Sequence, residues 1–190
     1  MSTTVSREVL LAARRLAERN ALADASMADI AEEAGLTRVT LYRRGDTRAA
    51  ILTALRDELV REERDLLLPI LAADGDARAR MILALEALCA TTEARMDLLT
   101  GLDNAALNAI YHEEGDEPLT RGQFAGPFAR LLRDGAVDGS LRAVPNPDEA
   151  ATVLYAQISY TYLHLRREHG WSAERTTSAV IDMAMRGLDR

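Results

Sequence analysis

Ser26-Met-Ala-Asp-Ile-Ala-Glu-Glu-Ala-Gly-Leu-Thr-Arg-Val-Thr-Leu-Tyr42 is the stretch whose reading decides the fold. Ser26 stands three residues before Asp29, the spacing of a capping box, with aspartate where glutamate is usual. The helix that follows extends through Ala34 and breaks at Gly35. Thr37 caps a second, very short helix to about Arg43. Ile30, Ala31, Leu36 and Leu41 are spaced to form a miniature core, and the small Ala34 and Gly35 permit a tight turn. Arg38, Thr40, Tyr42 and Arg43 are then expected to point outward.

Working outward, Ser6 can cap a preceding helix to about Asn20, with Val9, Leu10, Ala13, Leu16 and Ala17 on one face. Gly45-Asp46-Thr47 closes the short helix and opens a longer one carrying Ile51, Leu55 and Leu59 inward, ended or kinked by Pro69. A fifth helix is expected from about Asp76 to Glu93, with Met81, Ile82, Leu85, Leu88 and Cys89 as its inner stripe. Shorter pieces follow at about Arg95 to Leu102 and Asn104 to Tyr111. His112 to Gly126, with three glycines, a proline and a run of acids, reads as a mobile connection. Further helices are expected at about Pro127 to Val137, Pro147 to His169, and from Ser172 to the C-terminus. Without useful strand alternation, the expected fold class is all-α: a three-helix helix-turn-helix head at 1–50 and a helical C-terminal domain at 51–190.

All 23 basic residues are arginine. That excludes a phosphate-loop lysine, a Schiff-base lysine and any lysine general base. The formal net charge is −7, yet residues 1–56 carry nine arginines against seven acids. Within Leu36 to Arg48 there are four arginines and one acid, a basic patch on an acidic protein. One cysteine cannot form an intrachain disulfide, and no apolar run suits a membrane span or secretory signal, so the expected location is cytoplasmic.

Two short helices joined by a glycine turn beside a basic patch meet the requirements of a helix-turn-helix DNA reader. Arginine can bond guanine N7 and O6 bidentately, and a threonine methyl or tyrosine ring can touch a thymine methyl. The expected DNA-binding set is Ser26, Thr37, Arg38, Thr40, Tyr42, Arg43, Arg44, Thr47 and Arg48, the flanking members lying near helix N-termini that attract phosphate.

These residues resemble the TetR family of transcriptional regulators. Residues 26–42 match that family's second and third helices almost position by position, and Asp46-Thr-Arg-Ala-Ala-Ile-Leu52 matches the start of its fourth. The resemblance is clear over about Ser6 to Leu55, and the remainder shares layout and length. Two positions depart from the pattern: Gly45 stands where an aromatic residue is usual, and Arg48 where lysine is common. The resemblance implies a cytoplasmic, ligand-responsive regulator, most often a repressor, that binds a double-stranded DNA operator as a homodimer and answers to a small-molecule effector. It also implies pairing through the last two helices. There Val153, Ala156, Ile158 and Leu163, with Val180, Ile181, Ala184 and Leu188, offer more apolar surface than one face needs. The rival reading, kept open by Gly45, is a helical dimer that binds a small molecule or protein without reading DNA.

Seven of the eight aromatic residues lie between 111 and 171. With helical spacing they suggest a largely apolar effector pocket lined by Leu85, Cys89, Met96, Leu99, Phe128, Tyr155, Ser159 and Tyr162. Arg95 and Arg166 are expected to face water, as are His164 and His169 unless they join the seam. Neither catalysis nor a cofactor is expected. His112-Glu-Glu-Gly-Asp116 fails the HExxH zinc pattern, three scattered histidines and one thiol give no ligand spacing, and Cys89 reads as an inert buried thiol.

Overall fold

The computed structural model describes residues 5–19, 21–113 and 120–189. These residues form α1 (Arg7–Glu18), α2 (Met27–Glu33), α3 (Arg38–Arg44), α4 (Arg48–Leu71), α5 (Ala77–Ala94), α6 (Met96–Thr100), α7 (Asn104–Tyr111), α8 (Gly122–Asp138), α9 (Pro147–Arg167) and α10 (Ala173–Leu188). No strand occurs among them, so the fold is all-α. The backbone groups into two compact units, residues 1–60 with 95–112, and residues 61–94 with 113–190.

The first unit gathers α1, α2, α3 and the start of α4 with α6 and α7. Its core is the expected apolar spacing closed on itself: Val9, Ala12, Ala13, Leu16 and Ala17 of α1 are buried with Ile30, Ala31, Leu41, Ile51, Leu55 and Leu59. Ser6 holds the N-cap position of α1 without capping it, because its hydroxyl accepts instead from Arg44 Nη1 at 3.2 Å. Outside the core, Glu33 accepts from Arg15 (2.7 Å) and Arg19 (2.5 Å), which hold its carboxyl below the usual range. Packing brings α6 onto α1 so closely that a methyl group at Gly101 would lie 1.6 Å from the Ala17 carbonyl oxygen. The expected division falls at residue 50, whereas the compact unit runs to residue 60 and takes in α6 and α7.

In the second unit α5, α8, α9 and α10 pack on one another. Met81, Ala84, Leu85, Leu88 and Cys89 of α5 are buried with Phe124, Phe128, Leu131 and Leu132 of α8 and Leu154, Tyr155, Ile158 and Tyr162 of α9. α8 begins five residues earlier than expected, so Pro127 lies inside it. Burial of Phe124 and Ala125 in the lost stretch, together with the Gly122 amide donating to Glu113 Oε1 at 3.2 Å, outweighs the hydrogen bond a proline cannot make. The middle of the connection expected at 112–126 lies outside the described residues. α4 continues two residues past Pro69.

Four residues assigned to a dimer seam on α10 are instead inside the chain: Val180, Ile181, Ala184 and Leu188 are at most 9% exposed, and Ile158 of α9 is fully buried. The 3.6-residue period identifies an apolar face, yet it does not say whether this chain or a second copy covers it. The apolar residues left outward on these two helices are Val153, Tyr160 and Met183.

Candidate nucleic-acid interface

The turn between α2 and α3 is built from local hydrogen bonds written into the sequence. Ser26 Oγ accepts from the amides of Ala28 (3.2 Å) and Asp29 (3.3 Å), and the Ser26 amide donates to Asp29 Oδ2 at 2.7 Å, completing the capping box with aspartate. These bonds to Ser26 hold the Asp29 carboxyl below the usual range. Gly35 takes φ 69°, and the Leu36 amide donates to Ala31 O at 2.8 Å. Thr37 then caps α3 by accepting from the Thr40 amide at 3.2 Å.

At the other end Gly45 takes φ 76°, and the Asp46 amide donates back to Leu41 O at 3.1 Å. This is the six-to-one bond of a Schellman stop, which needs a left-handed residue at that point. Gly45 therefore ends α3 sharply in place of the aromatic residue expected there. Thr47 next caps α4, its Oγ1 accepting from the Ala50 amide at 3.1 Å.

This frame leaves Arg38, Tyr42 and Arg43 exposed on α3, Tyr42 to 88%, while Leu41 is buried beneath them. Ser26, Thr37 and Thr47 are exposed too, with their hydroxyls engaged in caps. Two expected contacts sit differently. Thr40 is half-buried and its hydroxyl lies 2.9 Å from that of Thr37, so it does not point freely outward. Arg48 is also half-buried, and donates to the carbonyls of Leu22 (2.9 Å), Ala23 (3.3 Å) and Ala25 (3.1 Å). It ties the α1–α2 connection to α4 rather than standing free for phosphate. Arg44 is exposed while held by Ser6. Val39 went unnoticed in the sequence although it is 74% exposed; its position three residues before Tyr42, on the same helix face, was the available signal.

The effector set divides between the two units. Leu85, Cys89, Phe128, Tyr155, Ser159 and Tyr162 belong to the second, whereas Met96 and Leu99 sit half-buried on α6 in the first. Tyr155 lies 6.1 Å, centroid to centroid, from both Phe124 and Phe128, and donates to Glu63 Oε2 at 3.3 Å. Tyr162 donates to Glu93 Oε2 at 3.0 Å. Burial and the Glu93 carboxylate push its hydroxyl up to about 12. Burial likewise raises the Cys89 thiol to about 11. Ser159 Oγ is shielded from solvent and has no hydrogen-bond partner among the described residues.

Neither arginine expected to face water does so fully. Arg95 is 6% exposed, with Nη2 3.4 Å from Leu59 O. Half-buried Arg166 makes a bidentate pair with Glu93 (2.8 and 2.6 Å) and donates to Trp171 O. Glu63 and Glu93 were thus missed, because a charge within a helical pattern reads as solvated. A separate groove of about 530 Å³ lies between α5 and α10, walled by Ile82, Thr177, Ile181 and Met185 with Glu86 and Glu174, and contains none of the expected effector residues. No group of three or more metal-ligating side chains occurs among the described residues, and no helix there is long and apolar enough to cross a membrane.

Residues 9–55 match the family model described as bacterial regulatory proteins, tetR family. No curated protein matches the chain. Among solved structures, a putative tetR family transcription regulator from Shewanella sp. PV-4 is 17% identical over 97% of both chains, with a TM-score of 0.70. A putative transcriptional regulator from Saccharomonospora viridis, solved with choline, is 22% identical over 97% of both chains (TM-score 0.67). SmeT, repressor of the multidrug efflux pump SmeDEF of Stenotrophomonas maltophilia, is 16% identical over all of this chain and 93% of its own (TM-score 0.69). At these identities the likeness is one of fold. The match over residues 9–55 and the fold of the whole chain make this protein similar to the TetR family of bacterial regulatory proteins.

Proposed function

We propose that the protein is a cytoplasmic transcriptional repressor that binds operator DNA as a homodimer and leaves it when a small, largely apolar molecule binds. The observation that carries this reading is the outward row Arg38, Tyr42 and Arg43 on a short helix capped at both ends, within the family-matched segment. Arg38 and Arg43 read guanine edges, Tyr42 meets the groove wall, and Arg44, with the exposed threonines, approaches phosphate. Gly45 does not weaken this reading, since it supplies the left-handed stop of α3.

Division of labour follows the sequence expectation, with DNA reading in residues 1–50 and effector binding and dimerisation in 51–190. Dimerisation uses the outward faces of α9 and α10 through Val153, Tyr160 and Met183, which are 55–64% exposed. The effector lies among Leu85, Cys89, Phe128, Tyr155 and Tyr162, and the shielded, unpartnered Ser159 hydroxyl supports a single polar contact there. Two heads must enter successive major grooves about 34 Å apart. An effector releases them only by binding the other spacing better, typically by about 1–3 kcal/mol.

The test begins with selection from a random duplex pool by the full chain, followed by gel shift of the enriched sequence in rising salt. A repressor gives one sequence class, a steep salt dependence and release by some members of a hydrophobic compound panel. Recovery of no sequence class refutes DNA reading.

A further inference from the structure

Val39 serves no purpose in the fold that its surroundings reveal. It is 74% exposed in a helix of seven residues, where a β-branched side chain lowers helix propensity and buries almost nothing. It lies in the first turn of α3, three residues from the 88% exposed Tyr42 and four from Arg43, so the three share one outward face. This face is therefore mixed: arginines at its ends, an aliphatic side chain and an aromatic ring between them. Thr40, the threonine within α3, is half-buried and bound to Thr37.

The charges on the face fit a polyanion, and the apolar pair narrows the match further. In the major groove of DNA the one methyl group is the C5-methyl of thymine, and the other groups that identify a base pair there are hydrogen-bond donors and acceptors. A residue in the N-terminal turn of a recognition helix is also well placed to reach base edges. Resting on the reading of this head as a DNA reader, we propose that Val39 is a specificity-determining residue that reads a thymine methyl group, with Tyr42 closing the contact from the next turn. The half-site then carries a thymine next to the guanine bonded by Arg38 or Arg43. Only the methyl is read at that position, so the discrimination is against the absence of a methyl group, not against a hydrogen-bonding pattern.

The experiment replaces each thymine of the selected operator, one at a time in one half-site, by deoxyuridine, which removes the methyl and nothing else. Full-length protein and the V39A variant are titrated against each duplex, with circular dichroism melts of both proteins. Because the side chain is exposed, V39A melts as the parent does. The expected result is one thymine, or two adjacent ones, at which deoxyuridine weakens parental binding about fourfold, the scale of one methyl group lost from an apolar contact. V39A binds the unmodified operator about sixteenfold more weakly, because both half-sites of the homodimer lose the contact, and shows no further loss on deoxyuridine at that position. Sensitivity to 7-deazaguanine at the arginine-read guanine stays the same in both proteins. Deoxyuridine that is neutral at every thymine, or equally costly to parent and V39A, overturns the assignment of Val39 while leaving DNA reading intact. Failure to select any operator overturns both.

Discussion

Replacing Arg48 by alanine separates two roles that this position can have. Its guanidinium donates to three carbonyls, those of Leu22, Ala23 and Ala25, within 2.9–3.3 Å. Two of these bonds are part-buried and one is exposed, so each contributes about 1 kcal/mol and together about 2–3 kcal/mol to closure of the α1–α2 connection. Since each 1.4 kcal/mol is tenfold, removal raises the opening equilibrium about 30- to 150-fold. The amides that report it are Ala21 and Ala25, bonded to Leu16 O and Leu22 O, and Ala28 and Asp29, bonded to Ser26 Oγ. Hydrogen exchange followed by mass spectrometry on peptides spanning residues 16–30 should show faster uptake in R48A, with the second unit unchanged. R48K should recover part of the protection, because one ammonium cannot fork to three acceptors as a guanidinium does. Unchanged exchange in R48A, with affinity falling equally for all DNA sequences, would refute the tie and restore Arg48 as a phosphate contact.

Gly101→Ala forces a methyl group against the Ala17 carbonyl and should lower the stability of the first unit by about 3 kcal/mol; a parental melting curve would contradict the packing of α6 on α1. Met183→Arg places a charge on the outward face of α10 and should shift the protein toward monomer in sedimentation without unfolding it, whereas an unaltered dimer would move the interface away from that face. Acid should loosen the α5–α9 tie. The Glu93 carboxyl is held below its ordinary 4.5, chiefly by hydrogen bonding to Arg166, so its contribution is complete above that pH and is lost as pH falls below it through the folded value. Urea midpoints read from Trp171, the single tryptophan, whose carbonyl Arg166 also holds, should drop with acid over that window in the parent and less in E93Q; identical pH dependence in both would remove Glu93 as the cause.

Much of what depends on residues three or four apart was legible in the sequence, although the Thr37–Thr40 contact and the missing cap at Ser6 were not. The capping box at Ser26, the cap at Thr37, the breaks at Gly35 and Gly45 and the outward placing of Arg38, Tyr42 and Arg43 are of this kind. Interactions spanning tens of residues left no local trace. Arg48 reaches back 23 to 26 positions, and Arg166 reaches 73 positions to Glu93, so both were read as surface cations. The apolar stripe of α10 was legible as a stripe, but its partner was not, because periodicity carries no information about which surface lies opposite. Pro127 misled by a rule that holds for isolated helices and yields where Phe124 gains a buried site.

The first unit is not a continuous length of chain. α6 and α7 return to it after the chain has spent residues 61–94 elsewhere, and Gly101 meets α1 with no room for a methyl group. A gene fusion that borrows residues 1–60 to redirect another regulator would therefore carry an α1 stripped of its neighbour, with the surface around Ala17 newly wetted. Grafting the proposed DNA specificity intact requires moving two segments together, or moving the outward side chains of α3 onto a recipient whose own α6 already fits.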